Sequence, residues 1–195
     1  MDKKELASLT EKALEIRADT LDAIGYLGLG HIGGSMSVVE ILTVLYYRHM
    51  DVDPKNPRKP DRDIFILSKG HAGPALYATL ASRGFFPKEE LHTLNKPHTN
   101  LPSHCDRLRT PGMDMTAGSL GQGLSAALGF ALAQRLDGID KHVYCVIGDG
   151  ESNEGQIWEA AMAAAHYQVE NLIAFTDNNR MQLDSWTEEV MKLGN

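Results

Sequence analysis

The sequence has little of three things that would place it in a specialised class of protein: cysteine, positive charge and long apolar runs. Cys105 and Cys145 are its two cysteines and form no CxxC pair, so we expect two reduced thiols. The formal net charge of −7 disfavours non-specific nucleic-acid binding. No apolar run is long enough to span a bilayer, and the first residues lack the apolar core of a signal peptide. We therefore expect a cytoplasmic protein with neither nucleic acid nor membrane as a partner.

The sequence does contain apolar segments that alternate between helical and strand-like spacing. Its 195 residues, 43% of them hydrophobic, suffice for one well-buried core and are few for two. Helices are predicted over 5–27, 37–50, 74–83, 87–94, 121–136 and 153–167, and strands over 63–66, 142–147 and 171–176. Residues 95–114 form a long predicted loop, a length that is often functional. The pattern favours an α/β fold.

Two polar residues follow two of the predicted strands, and this order predicts a shared site. The run 142–147 ends just before Asp149, and the run 171–176 ends shortly before Asn179. An Ala-rich helical stretch separates the runs, so we expect parallel strands joined by a right-handed crossover. Because parallel strands end at the same edge of a sheet, Asp149 and Asn179 should lie close together there.

The groups at this edge suit a metal-bridged diphosphate. The Asp149 carboxylate, the Asn179 amide oxygen and the Met181 backbone carbonyl are hard oxygen ligands. Such ligands suit Mg²⁺, whose octahedron is then completed by phosphate oxygens and water. Gly148 and Gly150 allow the backbone to approach an anion closely.

Two other interpretations of the glycines compete with this one. A dinucleotide-binding fingerprint fails, because Asn153 replaces the third glycine of the GxGxxG pattern. A simple Gly-Asp-Gly turn with no relation to the asparagines stays open on this pattern alone.

The spacing of these groups, together with further segments, resembles the amino-terminal half of transketolase. The sequence GDG at 148–150, then 27 residues, then Asn178 and Asn179, looks like the thiamine-diphosphate motif. Other segments follow in the order of that family: GHIGGS at 30–35, LSKGHA at 67–72, PSH at 102–104 and TAGSLGQGL at 116–124. The similarity runs from about Arg17 to Met191 and is strongest to transketolases encoded as two separate subunits.

This resemblance implies a fold, a reaction and a partner. The fold would be the three-layer thiamine-diphosphate-binding fold, a mostly parallel sheet flanked by helices, with 1–195 as one diphosphate-binding domain. The cofactors would be thiamine diphosphate and Mg²⁺, and a two-carbon ketol unit would pass between ketose and aldose phosphates. The pyrimidine of the cofactor is activated by a glutamate on another domain, so a pyrimidine-binding C-terminal subunit is the implied partner. A homodimer or heterotetramer would result.

The resemblance also assigns roles to three histidines. His71 would contact the cofactor diphosphate, whereas His31 and His104 would line the channel for the ketose hydroxyls and act in catalysis. A zinc site built from these three is the rival interpretation. No pair of them has the short helical spacing of known zinc motifs, which disfavours zinc.

Smaller roles follow for other matched positions. By the same resemblance, Gly118, Ser119 and Leu120 would contribute backbone and an apolar contact to thiamine. Glu154 matches a glutamate at the subunit interface of the family, although an acidic residue also suits any helix amino terminus. Lys69 matches the family without a role that the sequence can assign.

The chain also departs from the family pattern. It ends about sixteen residues after Asn179, so we expect a domain that lacks its C-terminal part or receives its last layer from another chain. Ser103 and Cys105 replace the glycine and proline beside the loop histidine, and Ile32 replaces the proline after His31. These changes leave an alternative: a truncated or degenerate, noncatalytic homologue that binds cofactor or keeps only the fold.

Overall fold

A computed structural model describes residues 1–194 as alternating helices and short strands. The α-helices are α1 (Lys3–Leu27), α2 (Ile32–Met36), α3 (Val39–Val44), α4 (Gly73–Arg83), α5 (Gln122–Leu136), α6 (Gly155–His166) and α7 (Thr187–Val190). The strands are β1 (Ile64–Leu67), β2 (Val143–Gly148), β3 (Leu172–Asp177), β4 (Met181–Gln182) and β5 (Ser185–Trp186). Among these residues, no helix combines the length and apolar character that crossing a membrane requires.

The chain divides into two compact units. Residues 1–60 and 71–116 form one, which we call the helical unit, because it contains α1 to α4. Residues 61–70 and the described residues from Ala117 onward form the other, which we call the sheet unit, because it contains every strand in the described part of the chain.

In the helical unit, α1 and α4 form the centre of the core. The Asp2 side chain caps α1 by accepting the Glu5 N–H at 2.7 Å, and the helix ends at Gly28, whose φ of 81° suits glycine. α1 packs against α3 and α4. Its apolar residues Ile16 and Ile24 are fully buried, so helical spacing alone determines which side of α1 faces the core.

In the sheet unit, three parallel strands pair in the order β1-β2-β3. β2 is central and buried along its whole length, which is why its residues form an unbroken apolar run. α5 packs against the sheet and also against α6. The predicted α/β class and the parallel pairing of the strands are confirmed, including the helical crossover from β2 to β3.

Three predicted helices differ in detail from the observed ones. Helix 37–50 is wrong as a single helix: α3 gives way to a π-helical turn, Leu45–His49, where Met50 N–H bonds the Leu45 carbonyl. The predicted helix 87–94 is a 3₁₀ helix, Lys88–Thr93. The segment 153–167 begins in a 3₁₀ turn, Gly150–Asn153, before α6. Local tightening or widening of a turn leaves the apolar spacing almost unchanged, so periodicity does not reveal it.

Leu80 on α4 provides a test of the helical core. Its side chain is 0% exposed, so Leu80→Ala should lower the free energy of unfolding by about 2–5 kcal/mol through lost burial and a residual cavity. Leu14→Ala is the control, because Leu14 lies on α1 at 62% exposure and should change stability by about 0.5 kcal/mol or less. Urea denaturation followed by circular dichroism measures both; equal losses would contradict this core.

Candidate functional site

The structure brings Asp149 and Asn179 together at the carboxyl edge of the sheet. The β2–β3 register pairs Gly148 with Asp177, and the Asp149 N–H donates to the Asp177 carbonyl at 3.2 Å. One oxygen of the Asp149 carboxylate accepts the N–H of Arg180, the residue after Asn179, at 2.8 Å. The predicted juxtaposition of the two strand ends is therefore confirmed.

Asp149 is a buried carboxylate surrounded by neutral donors. Asp149 is only 2% exposed to solvent. Besides Arg180 N–H, the carboxylate accepts the Gly150 N–H at 2.8 Å and the Thr187 hydroxyl at 2.9 Å. No lysine or arginine side chain within residues 1–194 pairs with it. A buried charge of this kind is normally paired or bound to a metal.

The Asn179 amide is held on both of its sides. Its Nδ2 donates to Asp177 Oδ2 at 3.2 Å, and its Oδ1 accepts the Met181 N–H at 2.9 Å. Asp177 is in turn paired with the ammonium group of Lys69, which is buried. The Lys69–Asp177 ion pair thus fixes the orientation of the Asn179 amide. Met181, two residues further along the chain, is the first residue of the short strand β4.

The charges buried at this edge fit a divalent cation. Asp149, Glu151 and Asp177 contribute three buried carboxylates, and Lys69 contributes one buried ammonium group. Asp149 has no cationic side-chain partner among the described residues, and a buried charge without such a partner is costly. A divalent cation would provide one, so the residues present fit the Mg²⁺ that the sequence predicts.

The described residues form no metal site from histidine, cysteine and carboxylate side chains alone. Residues 1–194 contain no group of three or more histidine, cysteine, aspartate or glutamate side chains placed to hold a metal ion. The zinc alternative for the histidines therefore has no support in the described part of the chain. A site with one carboxylate, one amide and one carbonyl suits Mg²⁺ only when phosphate oxygens and water complete the coordination.

Glycines and exposed backbone surround the sheet edge. A Cβ on Gly150 would lie 2.6 Å from Gln182 Cγ, so a larger residue there would displace the Gln182 side chain. Gly118, Ser119 and Leu120 are exposed and precede α5. These are the three residues that the sequence predicts to contact the cofactor.

The three predicted histidines form a cluster in the helical unit. The His31 ring lies 5.2 Å from the His71 ring and 6.1 Å from the His104 ring, measured between centroids. His31 and His104 are exposed and His71 is half-buried. His31, His71 and Ser103 line a small cleft. Residues from three distant parts of the sequence thus present imidazole groups together.

Comparison with known proteins decides the family. A family model described as transketolase, thiamine diphosphate binding domain, matches residues 9–193. The chain belongs to the transketolase family.

The relatives include transketolases made of separate subunits. The chain is 58% identical to 6-deoxy-6-sulfo-D-fructose transketolase subunit SqwG of Clostridium sp. strain MSTE9, over 95% of this chain and 67% of that relative. It is 41% identical to one of the subunits of the apulose-4-phosphate transketolase of Actinobacillus succinogenes, over 92% of this chain and 65% of that relative. The transketolase of Leishmania mexicana superposes with a TM-score of 0.90 at 31% identity, covering 94% of this chain and 29% of that protein. The chain thus spans about two thirds of the split subunits and under a third of this solved transketolase.

The three residues that were predicted to depart from the family pattern, Ile32, Ser103 and Cys105, are each next in sequence to a histidine of the cluster. Cys105 is buried, and burial raises the pKa of its thiol to about 12. Its sulfur would lie 3.4 Å from a Cβ placed on Gly73. Cys105 is therefore a packing residue and not a nucleophile. Ser103 lines the histidine cleft, whereas Ile32 is exposed at the start of α2.

Sequence reasoning missed three groups at the sheet edge. Glu151 and Asp177 are buried there, and Lys69, which had no role assignable from the sequence, pairs with Asp177. Asp177 ends β3, and Lys69 lies two residues after the end of β1. Both could therefore have been found by the same criterion as Asp149, which is a polar residue at the carboxyl end of a predicted strand. Glu151 carried no such signal.

Proposed function

We propose that this chain is the thiamine-diphosphate- and Mg²⁺-binding part of a two-chain transketolase, with 1–195 belonging to its diphosphate-binding domain. Its reaction transfers a two-carbon ketol unit between ketose and aldose phosphates. The observation that carries the proposal is the buried Asp149 carboxylate, which has no cationic partner among the described residues and lies beside Asn179. Membership of the transketolase family supports the choice of cofactor.

The sheet edge would hold the metal and the diphosphate. Asp149, Asn179 and the carbonyl of Met181 would be the protein ligands of Mg²⁺, and phosphate oxygens would fill further positions. Gly148 and Gly150 would let the diphosphate approach the backbone.

The remaining matched residues would fix the organic parts of cofactor and substrate. Gly118, Ser119 and Leu120 would contact thiamine, and His71 would donate a hydrogen bond to the diphosphate. When bound, thiamine diphosphate would supply the carbon nucleophile that ketol transfer requires. His31 and His104 would orient the hydroxyls of the sugar, since imidazoles can donate to or accept from them.

A partner subunit would complete the enzyme. Two relatives are named as subunits of transketolases, and we propose a pyrimidine-binding subunit that brings the carboxylate needed at the aminopyrimidine. On α6, Trp158 and Met162 are 58% and 67% exposed, and neighbouring exposed apolar side chains favour association. A homodimer or a heterotetramer would bury them.

The donor is proposed to be a ketose with an anionic terminal group. One relative, 58% identical to this chain, is named for a sulfonated fructose, and another, 41% identical, is named for a sugar phosphate. Phosphate is the first substrate class to assay, and sulfonate the second.

The first test concerns the metal ligands. Asp149→Asn should weaken Mg²⁺-dependent binding of thiamine diphosphate by roughly 30-fold or more, because it removes the sole carboxylate from the proposed coordination sphere. Asn179→Ala should weaken it as well. Asp184→Ala, in the exposed turn between β4 and β5, is the control and should bind normally. Isothermal titration calorimetry compares these variants with the wild type, and unchanged affinity in Asp149→Asn would refute the assignment.

The second test separates cofactor anchoring from substrate recognition. His71→Ala should raise the dissociation constant of thiamine diphosphate by roughly tenfold, through a lost charge-assisted hydrogen bond. His31→Ala and His104→Ala should leave that constant unchanged and lower donor turnover in the assembled enzyme. Calorimetry and steady-state kinetics provide the two readouts. Equal loss of cofactor in the three variants would contradict this division.

The third test concerns the partner. The chain saturated with Mg²⁺ and thiamine diphosphate should transfer no ketol unit by itself, because the activating carboxylate would come from the partner. Adding a pyrimidine-binding C-terminal subunit should produce transfer from a ketose phosphate to an aldose phosphate, detected in a coupled assay. Turnover by the chain alone would disprove the half-site proposal. No measurable ketol transfer in the presence of the partner would favour the alternative that the chain is a noncatalytic homologue.

A further inference from the structure

Glu151 is a buried carboxylate that neither the family resemblance nor the proposed set of metal ligands includes. It lies in the 3₁₀ turn directly after β2 and is 2% exposed. Its Oε1 accepts the Ser68 hydroxyl and the Gly121 N–H, the latter at 2.7 Å. Its Oε2 accepts the Gly148 N–H at 2.9 Å. Within residues 1–194 its partners are these neutral donors.

The three donors come from three separate segments of the sheet unit. Ser68 follows the end of β1, Gly148 ends β2, and Gly121 precedes α5 directly after the exposed residues Gly118 to Leu120. The Gly123 N–H also donates to the Ser68 hydroxyl oxygen, at 3.1 Å. One carboxylate therefore joins the ends of two strands to the start of a helix.

The glycines of this network allow the backbone to come this close. Gly121 has a φ of 85°, and a Cβ there would lie 2.8 Å from the Glu154 Cβ. A Cβ on Gly123 would overlap the side chain and the backbone of Ser68. Residues 121–123 are packed so tightly against Ser68 and Glu154 that the Gly121 backbone N–H meets the Glu151 carboxylate directly.

We propose that Glu151 is a positioning residue that holds residues 118–121 and the Gly148 end of β2 in a binding-competent geometry before the cofactor arrives. This inference rests on the proposed function, since those residues are the ones assigned to thiamine and diphosphate. A loop that is already ordered loses less conformational entropy on binding. The effect of Glu151 should therefore be on the affinity for the cofactor and not on the chemical step.

A carboxylate is required here because both of its oxygens face N–H donors. Replacing Glu151 by glutamine keeps the shape and puts an NH₂ group in place of one oxygen. Turned one way, that group faces the Gly148 N–H; turned the other way, it faces the Gly121 N–H. Backbone donors cannot rotate away, so either orientation leaves a buried N–H without an acceptor, which opens the network.

The test compares Glu151→Gln with the wild type and with Glu159→Gln, an exposed substitution on α6. Calorimetry in saturating Mg²⁺ should show roughly 10- to 100-fold weaker binding of thiamine diphosphate to Glu151→Gln and no change in the control. In the enzyme assembled with its partner, the KM for cofactor should rise while kcat at saturating cofactor stays within about threefold of wild type.

Amide hydrogen exchange in the absence of cofactor provides a second readout. The amides of Gly121 and Gly148 should exchange faster in Glu151→Gln, while those of the buried strand β2 ahead of Gly148 stay protected. If Glu151→Gln does not fold, Ser68→Ala tests the same network by removing one donor to Glu151 and the acceptor of Gly123. Ser68→Ala should weaken the binding of thiamine diphosphate less than Glu151→Gln does.

The outcomes distinguish this inference from the function on which it rests. The positioning role would be overturned if Glu151→Gln bound thiamine diphosphate as tightly as the wild type. If Glu151→Gln does not fold, wild-type affinity in Ser68→Ala would overturn it instead. A fall in kcat with unchanged KM would overturn it too. Absence of cofactor binding by the wild type would show the proposed function to be wrong, and the cofactor role of Glu151 with it. Unchanged exchange at Gly121 and Gly148 would overturn the network itself.

Discussion

The pairing of β2 with β3 is the constraint on which the sheet edge depends. Its register places Gly148 opposite Asp177, so the residues that follow each strand emerge side by side. Side chains alternate between the two faces of a sheet, and a slip of one residue would therefore turn each of them to the other face. The hydrogen bond from Arg180 N–H to Asp149 also depends on this register. The alignment of an apolar strand pair thus determines where the polar groups meet.

This arrangement concentrates negative charge where water is excluded. Three carboxylates and one ammonium group are buried at this edge. The ammonium group pairs with Asp177, while Asp149 and Glu151 accept hydrogen bonds from backbone N–H groups and hydroxyls. Burying a charge without a cationic partner is costly, and a cation bound at the proposed site would offset that cost at Asp149. Binding of this cation would also stabilise the folded state by mass action. In the helical unit, the packing of α1 against α4 instead buries mainly apolar side chains.

Several features of the fold and of the site could be predicted because they depend on local patterns. The apolar run of β2, the Ala-rich crossover and the second run of β3 were sufficient to predict neighbouring strand ends at Asp149 and Asn179. The π-helical turn at Leu45–His49 was not, since it alters hydrogen bonding and leaves the hydrophobic spacing nearly intact. The hairpin of β4 and β5 has two residues in each strand, too few for alternation to be visible.

The sequence by itself determined the order of elements, the family and the residues that lie at strand ends, because periodicity and motif spacing are properties of neighbouring residues. Only the tertiary structure decided which polar groups satisfy one another. Ser68 and Glu151 are separated by 83 residues, and Lys69 and Asp177 by 108. No local pattern marks such pairs, since the partner of a buried charge is chosen by the packing of distant segments. The three buried carboxylates therefore have different surroundings. Asp177 pairs with an ammonium group, whereas Glu151 accepts two backbone N–H groups and the Ser68 hydroxyl. Asp149, the proposed ligand of the cation, accepts two backbone N–H groups and the Thr187 hydroxyl.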